Sequence, residues 1–183
     1  MSADLKVIFY PDPRLKKVSK PVEVFDDALA GLATRLLELM REHRGVGLAA
    51  PQVGRNLRLF VMNATQQPGD DRVYVNPELI DPTGADTAEE GCLSLPGINC
   101  EIERNEAVIL RAQDLKGNRV EERASGYIAR IWQHEIDHLN GVLITDRMGT
   151  TAKMMARRTL KELEEKYAEE HPAPKASKTK ARR

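Results

Sequence analysis

Apolar residues recur at helical spacing in three parts of the chain. One stripe predicts a long first helix in "FDDALAGLATRLLELMREHRG", with an aspartate at its start and a glycine beyond its end; its members are Leu29, Leu32, Leu36 and Met40. A second helix is predicted in "SGYIARIWQHEIDHLNG", where Ser125 suits the N-cap and residues 140–141 suit the end. A third stripe predicts a last helix over residues 150–170, through Ala156, Leu160, Leu163 and Tyr167.

Short runs of apolar and β-branched residues predict strands at "LKVIFY", "LRLFVMN", "RVYVNPELI" and "AVILRAQD". Gly117 and Asn118 predict a hairpin turn followed by a return strand. The predicted strands come first along the chain and the helices are few. We therefore expect an α+β fold, with mostly antiparallel sheets around the second helix and with a further helix at the C-terminus. The predicted domain spans residues 1–170, and residues 171–183 are expected to form a basic, disordered tail.

The formal net charge of zero hides an asymmetry. The chain has 28 basic and 28 acidic residues, but residues 172–183 hold five basic residues and no acid, so the rest has a net charge of −5. An acidic body with few aromatic residues argues against a nucleic-acid-binding domain. No apolar run reaches the length of a membrane span, and the N-terminus does not resemble a secretory signal. Two cysteines, Cys92 and Cys100, are no disulfide framework, so we expect a cytoplasmic protein with reduced thiols.

The second helix contains the sequence H-E-x-x-H, at His134, Glu135 and His138. Residues four apart share one helix face, so both imidazoles are expected to point the same way and bind a metal ion. Apolar neighbours on two sides of this helix predict that it is buried and central. A catalytic metal site usually has three protein ligands and one open position, so a third ligand is required.

Several third ligands are conceivable. The metzincin extension of the motif fails, because Ile144 stands where a third histidine is needed. A downstream glutamate would make a zinc endopeptidase, but the candidates lie on a charged helix face that looks solvated: Glu162, Glu164 and Glu165. The better candidate is Cys92, in the loop "EEGCLSLPGIN". A metal-stabilised binding module without activity is a further alternative, although a structural site would need a fourth protein ligand.

A glycine-rich stretch, "GVGLAAPQVG", resembles a dinucleotide loop only superficially. It follows a helix instead of a strand, and Pro51 would interrupt the helix that such a loop must open. Together with two other stretches, however, it resembles the motifs of the peptide deformylases. These read "GVGLAAPQ" (45–52), "EGCLS" (90–94) and "QHEIDHLNG" (133–141), in the family's order, and the likeness extends over roughly residues 5–165.

The resemblance implies a metal-dependent enzyme that removes the formyl group from the formyl-methionyl end of nascent peptides and releases formate. Cys92, His134 and His138 would hold one divalent metal ion, Fe(II) natively, with Zn(II), Ni(II) or Co(II) possible. Glu135 would carry the proton, and the Gln52 amide and Leu93 N–H would stabilise the oxyanion. Glu90, Arg104 and Asp137 would support the ligands, with Arg104 paired to Asp137.

The substrate is expected to lie along residues 45–48, with its methionine side chain in an apolar pocket. The residues proposed for peptide binding are Gly45, Val46, Gly47, Leu48, Tyr127 and Ile131. Arg130 is expected at the pocket rim with its head in water, and Asn99 stands near the position of an arginine found in many relatives. The basic tail, with the last helix, suggests a contact with the ribosome; no membrane partner is expected.

Overall fold

The computed structural model describes residues 5–172, so the predicted tail lies outside the described residues from position 173 onward. The fold is α+β with antiparallel sheets, as expected. Its helices are α1 (Asp27–Glu42), α2 (Gly126–Leu139), α3 (Ile144–Arg147) and α4 (Thr150–Glu170), with short 3-10 helices at Pro13–Lys16 and Ala50–Val53. Its strands are β1 (Gly47–Ala49), β2 (Leu59–Met62), β3 (Arg72–Thr83), β4 (Asp86–Gly91), β5 (Asn99–Arg104), β6 (Ala107–Gln113) and β7 (Arg119–Ser125).

Five strands form one antiparallel sheet in the order β1-β2-β3-β6-β7, while β4 and β5 form a separate two-stranded hairpin. Strand β2, an inner strand of this sheet, is buried on both faces. Alternation of side chains sends Leu59 and Val61 into a core shared with α1, and Phe60 and Met62 into a second core shared with α2. The sheet therefore separates α1 from α2, and α2 lies inside the molecule.

The predicted helices are confirmed. Asp26 caps α1, since its Oδ1 accepts a hydrogen bond from the Leu29 N–H at 3.0 Å. Ser125 is the N-cap residue of α2, although its side chain makes no capping hydrogen bond. A third core packs α3 and α4 against β5 and the N-terminal segment. Among residues 5–172, no helix combines the length and apolar character that crossing a bilayer requires.

The prediction of a strand at "LKVIFY" is wrong. Residues 5–9 are extended but form no ladder; the Ile8 N–H donates to Gln52 O, and the Tyr10 N–H donates to Ser94 O. Three strands were not predicted: β1 and the two strands of the hairpin, β4 and β5. The hairpin matters for the site because the turn that joins its strands carries Cys92.

Candidate metal centre

Helix α2 places His134 and His138 on one face, one turn apart, with their Nε2 atoms separated by 3.2 Å. The helix is held in position by buried apolar residues on its other sides: Ala129, Trp132 and Leu139. Because these residues pack against the five-stranded sheet, the direction of both imidazoles is fixed by the core.

Cys92 completes a group of three ligand atoms. Its Sγ lies 3.3 Å from His138 Nε2, and the sulfur and the two imidazole nitrogens all lie within 4.8 Å of one another. Tetrahedral metal sites with bonds of about 2.0–2.3 Å separate neighbouring ligand atoms by about 3.4 Å. The observed separations and the N,N,S donor set therefore fit a single divalent ion. Within residues 5–172, no glutamate of α4 joins this group, and Glu164 instead accepts a hydrogen bond from Tyr10.

Glu90 holds His134 from behind. The His134 Nδ1–H donates to Glu90 Oε2 at 2.9 Å, so Nε2 is the nitrogen that offers a lone pair once its own proton is lost. Arg104 binds both carboxylate oxygens of Glu90, each at 2.8 Å. This fork keeps Glu90 ionised and oriented, although the carboxylate is almost fully buried.

Arg130 lines the cleft, but its head is not in water as expected. Its head is buried, with 6% of the residue exposed, because it points into the gap between α2 and the hairpin. There its guanidinium donates to Glu90 Oε1 and to the Ile102 and Asp86 carbonyl oxygens, all at 2.8 Å. Arg130 therefore connects α2 to both strands of the hairpin.

Asp137 faces away from the candidate ligands and pairs with Arg104 at 2.5 Å. Sequence reasoning missed its second partner, Arg147 on α3, which binds both oxygens of the same carboxylate. An unbroken series of charged hydrogen bonds thus runs from Arg130 through Glu90, Arg104 and Asp137 to Arg147. Only Arg147 in this series is substantially exposed, so the ion pair between Arg104 and Asp137 is buried and is not a weak surface contact.

The buried charges shift the pKa values of the ligands in opposite directions. Burial alone would lower the pKa of His134, but hydrogen bonds to Cys92 and Glu90 outweigh it and raise this pKa to about 10. Burial and the neighbouring His134 lower the pKa of His138. Burial opposes ionisation of Glu90, but hydrogen bonds from Arg104 and His134 lower its pKa. In the protein without metal, His134 therefore carries a proton that a metal ion must displace.

Glu135 lies beside the three ligand atoms and is 4% exposed. Its Oε2 has no hydrogen-bond partner in the part of the chain that the structure describes. Burial is the main reason that the pKa of Glu135 is raised to about 7. The carboxylate packs directly over the backbone of Gly47, where any side chain would collide with it.

Two hydrogen-bond donors point into the same space. The Gln52 Oε1 accepts from the Ala49 N–H at 2.8 Å, so the amide nitrogen must face the site; it lies 3.3 Å from Ser94 Oγ and 3.7 Å from Cys92 Sγ. Ser94, which sequence reasoning did not single out, is fully buried. The Leu93 N–H comes directly after Cys92 in the chain and finds no partner among residues 5–172.

A cleft of about 530 Å³ opens onto these groups. Most of the residues expected to bind peptide line it: Gly45, Val46, Gly47, Tyr127 and Ile131. Leu48 does not, which corrects the prediction. Side chains alternate along β1, so Leu48 points away from the cleft into the core under α1, where it is fully buried. The hairpin wall carries Glu89, Gly91 and Asn99.

Comparison with known proteins places the chain in a defined context. A family model described as polypeptide deformylase matches residues 4–154. A peptide deformylase from Thermotoga petrophila is 46% identical over 160 residues, covering 86% of this chain and 95% of that protein.

Two solved structures extend the likeness to the fold. A plant peptide deformylase superposes with a TM-score of 0.90 at 40% identity, covering 94% of this chain and 95% of that one. A peptide deformylase from Legionella pneumophila gives a TM-score of 0.84 at 41% identity, covering 93% and 99%. Both levels of identity are high enough to compare residues as well as topology.

Proposed function

The chain belongs to the polypeptide deformylase family and is an enzyme that removes the N-formyl group from newly synthesised polypeptides, releasing formate; we propose that it does so with a metal ion held by Cys92, His134 and His138. The observation that carries this proposal is the convergence of the three ligand atoms within 4.8 Å, beside the partnerless oxygen of Glu135. In this proposal α2 is the central metal-binding helix of the fold. Cys92, His134 and His138 would hold a divalent ion, which would supply Lewis acidity and lower the pKa of a bound water.

The two cysteines provide a matched test of the ligand set. Cys92→Ala is expected to abolish metal binding, whereas Cys100→Ala, in the hairpin core, keeps the metal. Metal content per chain after dialysis measures both, independently of activity. If the Cys92→Ala enzyme still bound metal and was active, Cys92 would not be a ligand, and a carboxylate would be the better candidate for the third metal ligand.

Glu135 is proposed as the proton carrier. Its carboxylate is buried, lines the cleft and has an oxygen, Oε2, with no partner among the described residues, so it is placed to take a proton from water and return it to the leaving amine. Glu90 and Arg104 fix the imidazole of His134 so that its Nε2 stays directed at the ion. Asp137 holds Arg104 in turn.

The Gln52 amide and the Leu93 N–H are proposed to donate to the oxyanion. The orientation of the Gln52 amide supports this role, since its oxygen is occupied by the Ala49 N–H and its nitrogen must face the cleft. Preset donors of this kind lower the barrier by about 3–4 kcal/mol each, because they need no reorganisation during the reaction.

The substrate is proposed to add to the edge strand β1, with its methionine side chain against Val46, Tyr127 and Ile131. Strand β1 is the outer strand of its sheet, so its free edge is available to an extended peptide. Gly45 and Gly47 let that backbone approach closely. The proposal no longer includes Leu48.

The activity is tested with two matched peptides, a formyl-methionyl peptide and the same peptide with a free amine. Formate is expected from the first, and no cleavage product from the second. Cleavage of an internal bond in either peptide would instead indicate an endopeptidase.

Iron(II) is proposed as the native ion, although the donor set also suits zinc, nickel and cobalt. Iron(II) and the Cys92 thiolate are both oxidisable, while zinc is redox-inert. Anaerobically prepared iron enzyme is therefore expected to be the most active and to decay in air, and zinc enzyme to be less active and durable. Formate release over several hours, with metal content measured in parallel, compares them; equal decay rates would contradict this choice.

A contact with the ribosome is proposed for α4 and the basic tail. Helix α4 exposes Lys153 and Arg157, whereas its Arg158 and Lys161 are paired with Glu162 and Glu165. Residues 172–183 add five positive charges and no acidic residue, and such a cationic segment favours an RNA surface at low salt. Co-pelleting with ribosomes, compared for the full chain and a chain lacking residues 172–183, tests it; equal binding rejects a role for the tail. Since its substrates are nascent chains, we also propose that the enzyme works in the cytoplasm, which cell fractionation would check.

A further inference from the structure

The mouth of the cleft carries an arginine that the proposed mechanism does not use. Arg44 lines the cleft, and it also lines a second groove of about 490 Å³ between the end of α1 and the loop over residues 63–71. Gly45 and Gln66 border both cavities as well. The two spaces therefore meet at Arg44.

The backbone of Arg44 is held in an uncommon conformation. Its φ of 56° lies in the left-handed region, which glycine and asparagine adopt more readily. The Arg44 N–H donates to Arg41 O at 2.9 Å, and the Gly45 N–H donates to Met40 O at 2.8 Å, so the end of α1 determines this geometry. A long charged side chain thus occupies a position whose backbone favours a small residue. Such outliers concentrate at functional sites.

The guanidinium of Arg44 is exposed and has no hydrogen bond or ion pair among residues 5–172. Its neighbour Arg41 differs, because it is paired with Asp71. The opposite wall of the mouth presents the uncharged Asn99 and the carboxylate of Glu89. Arg44 therefore offers up to five N–H donors to whatever enters the cleft beside residues 45–47.

We propose that Arg44 binds a carboxylate carried by the peptide within the first few residues after formyl-methionine, so that the enzyme prefers substrates that are acidic there. The inference rests on the proposed function, in which the peptide lies along residues 45–48. An extended peptide advances about 3.3 Å per residue. The first few residues after methionine therefore lie within reach of Arg44, which directly precedes Gly45. The carboxylate is either an aspartate or glutamate side chain or, in a short peptide, the free C-terminus; both make the same forked contact with a guanidinium.

The test uses formyl-Met peptides that differ by one side chain. Glutamate, glutamine or lysine is placed at the second, third or fourth position of peptides that are otherwise neutral and end in an amide. At low salt, kcat/KM for formate release is expected to be about two- to fivefold higher with glutamate than with glutamine at one or more positions, through KM. The ratio is expected to shrink as salt is raised.

Variants at position 44 assign the effect. Arg44→Gln removes the charge and keeps a flexible polar side chain. Arg44→Asn also removes the charge, with a residue that adopts the left-handed backbone conformation more readily. Both variants are expected to bring the ratio of kcat/KM for the glutamate and glutamine peptides to one. Arg44→Glu is expected to reverse the preference towards lysine, with Glu89 adding to it. Arg123→Gln, which neutralises an exposed arginine on β7 outside the cleft, is the matched control and keeps the wild-type ratio.

The rates of the peptide series and of the variants at position 44 support or overturn the proposed role of Arg44. Equal rates for glutamate and glutamine at all positions, or a preference that persists in Arg44→Gln, overturn the proposal. A preference for the free acid over the amide of the same peptide, abolished in Arg44→Gln, supports the proposal with the C-terminus as the source. If no peptide releases formate, the proposed function fails and the Arg44 proposal fails with it.

Discussion

Replacing Gly47 by alanine tests how tightly the proposed proton carrier is held. A methyl group at position 47 would lie 2.3 Å from Oε1 of Glu135 and 2.8 Å from its Cδ. Ordinary contact begins near 3.4 Å, so the carboxylate must move by about 1 Å. The three atoms nearest to the added methyl group all belong to Glu135, so His134 and His138 are expected to keep their positions.

The size of the effect follows from that displacement. A misplacement of about 1 Å in a catalytic group costs on the order of 10²-fold in rate. We therefore expect Gly47→Ala to lower kcat by about 100-fold, with full metal content. The buried carboxylate also has little room to move, so the free energy of unfolding should fall by about 1–3 kcal/mol.

The assay is formate release from one formyl-Met peptide, with metal content and thermal unfolding measured on the same samples. Gly31→Ala is the matched control: it lies in α1 with open space around the added methyl group. That variant should keep full activity and gain about 0.5–1 kcal/mol of stability. Near-normal kcat in metal-loaded Gly47→Ala would refute the reasoning, because it would mean that the position of Glu135 does not limit the reaction.

Three further predictions concern single groups. Glu135→Gln should keep its metal and lose about 10²–10⁴-fold in kcat, and near-normal formate release would exclude Glu135 as the proton carrier. Gln52→Ala should lower kcat by about 10²–10³-fold with little change in KM, whereas an effect on KM alone would limit Gln52 to substrate binding. Tyr10→Phe should lose about 0.5–1 kcal/mol of unfolding free energy at pH 8, through its bond to Glu164. That hydrogen bond raises the pKa of Tyr10 to about 12, so the difference from the wild type is present below pH 10 and is lost as the pH rises towards 12; a constant difference up to pH 12 would contradict this origin.

The parts of the fold that sequence predicts well are those with strong periodicity. Helices α1, α2 and α4 have one or two apolar stripes over many turns, and β2 is apolar throughout because the sheet buries both of its faces. The hairpin strands were harder to predict, since β4 and β5 bury few residues and two of those, Glu90 and Arg104, are charged. The segment "LKVIFY" was predicted as a strand because it is apolar and extended. Its backbone N–H groups instead bind single carbonyl oxygens, those of Gln52 and Ser94, and no neighbouring strand.

The candidate site divides in the same way. The i, i+4 rule alone brings His134 and His138 together, and the family likeness nominated Cys92, which the fold places beside them. The head of Arg130 could not be located from sequence, because its partners come from β4 and β5, more than 25 residues away along the chain. Leu48 failed for a local reason: the short strand β1 was not recognised, and with it the alternation that turns this side chain inward.

The separation of the β4–β5 hairpin from the main sheet has a dynamic consequence. Within the described residues, no backbone ladder joins the two sheets, so side chains attach the hairpin to the rest of the fold. Arg130 of α2 binds Glu90, Arg104 of the hairpin binds Asp137 of α2, and Ile98 and Ile102 make apolar contacts with the third core. A hairpin attached in this way is able to open as one cooperative unit while the five-stranded sheet stays intact. Amide hydrogens of β4 and β5 should then exchange with solvent together, faster than those of β2 and β3. The same opening would carry Cys92 away from His134 and His138, so release of a bound metal ion should follow the opening of the hairpin.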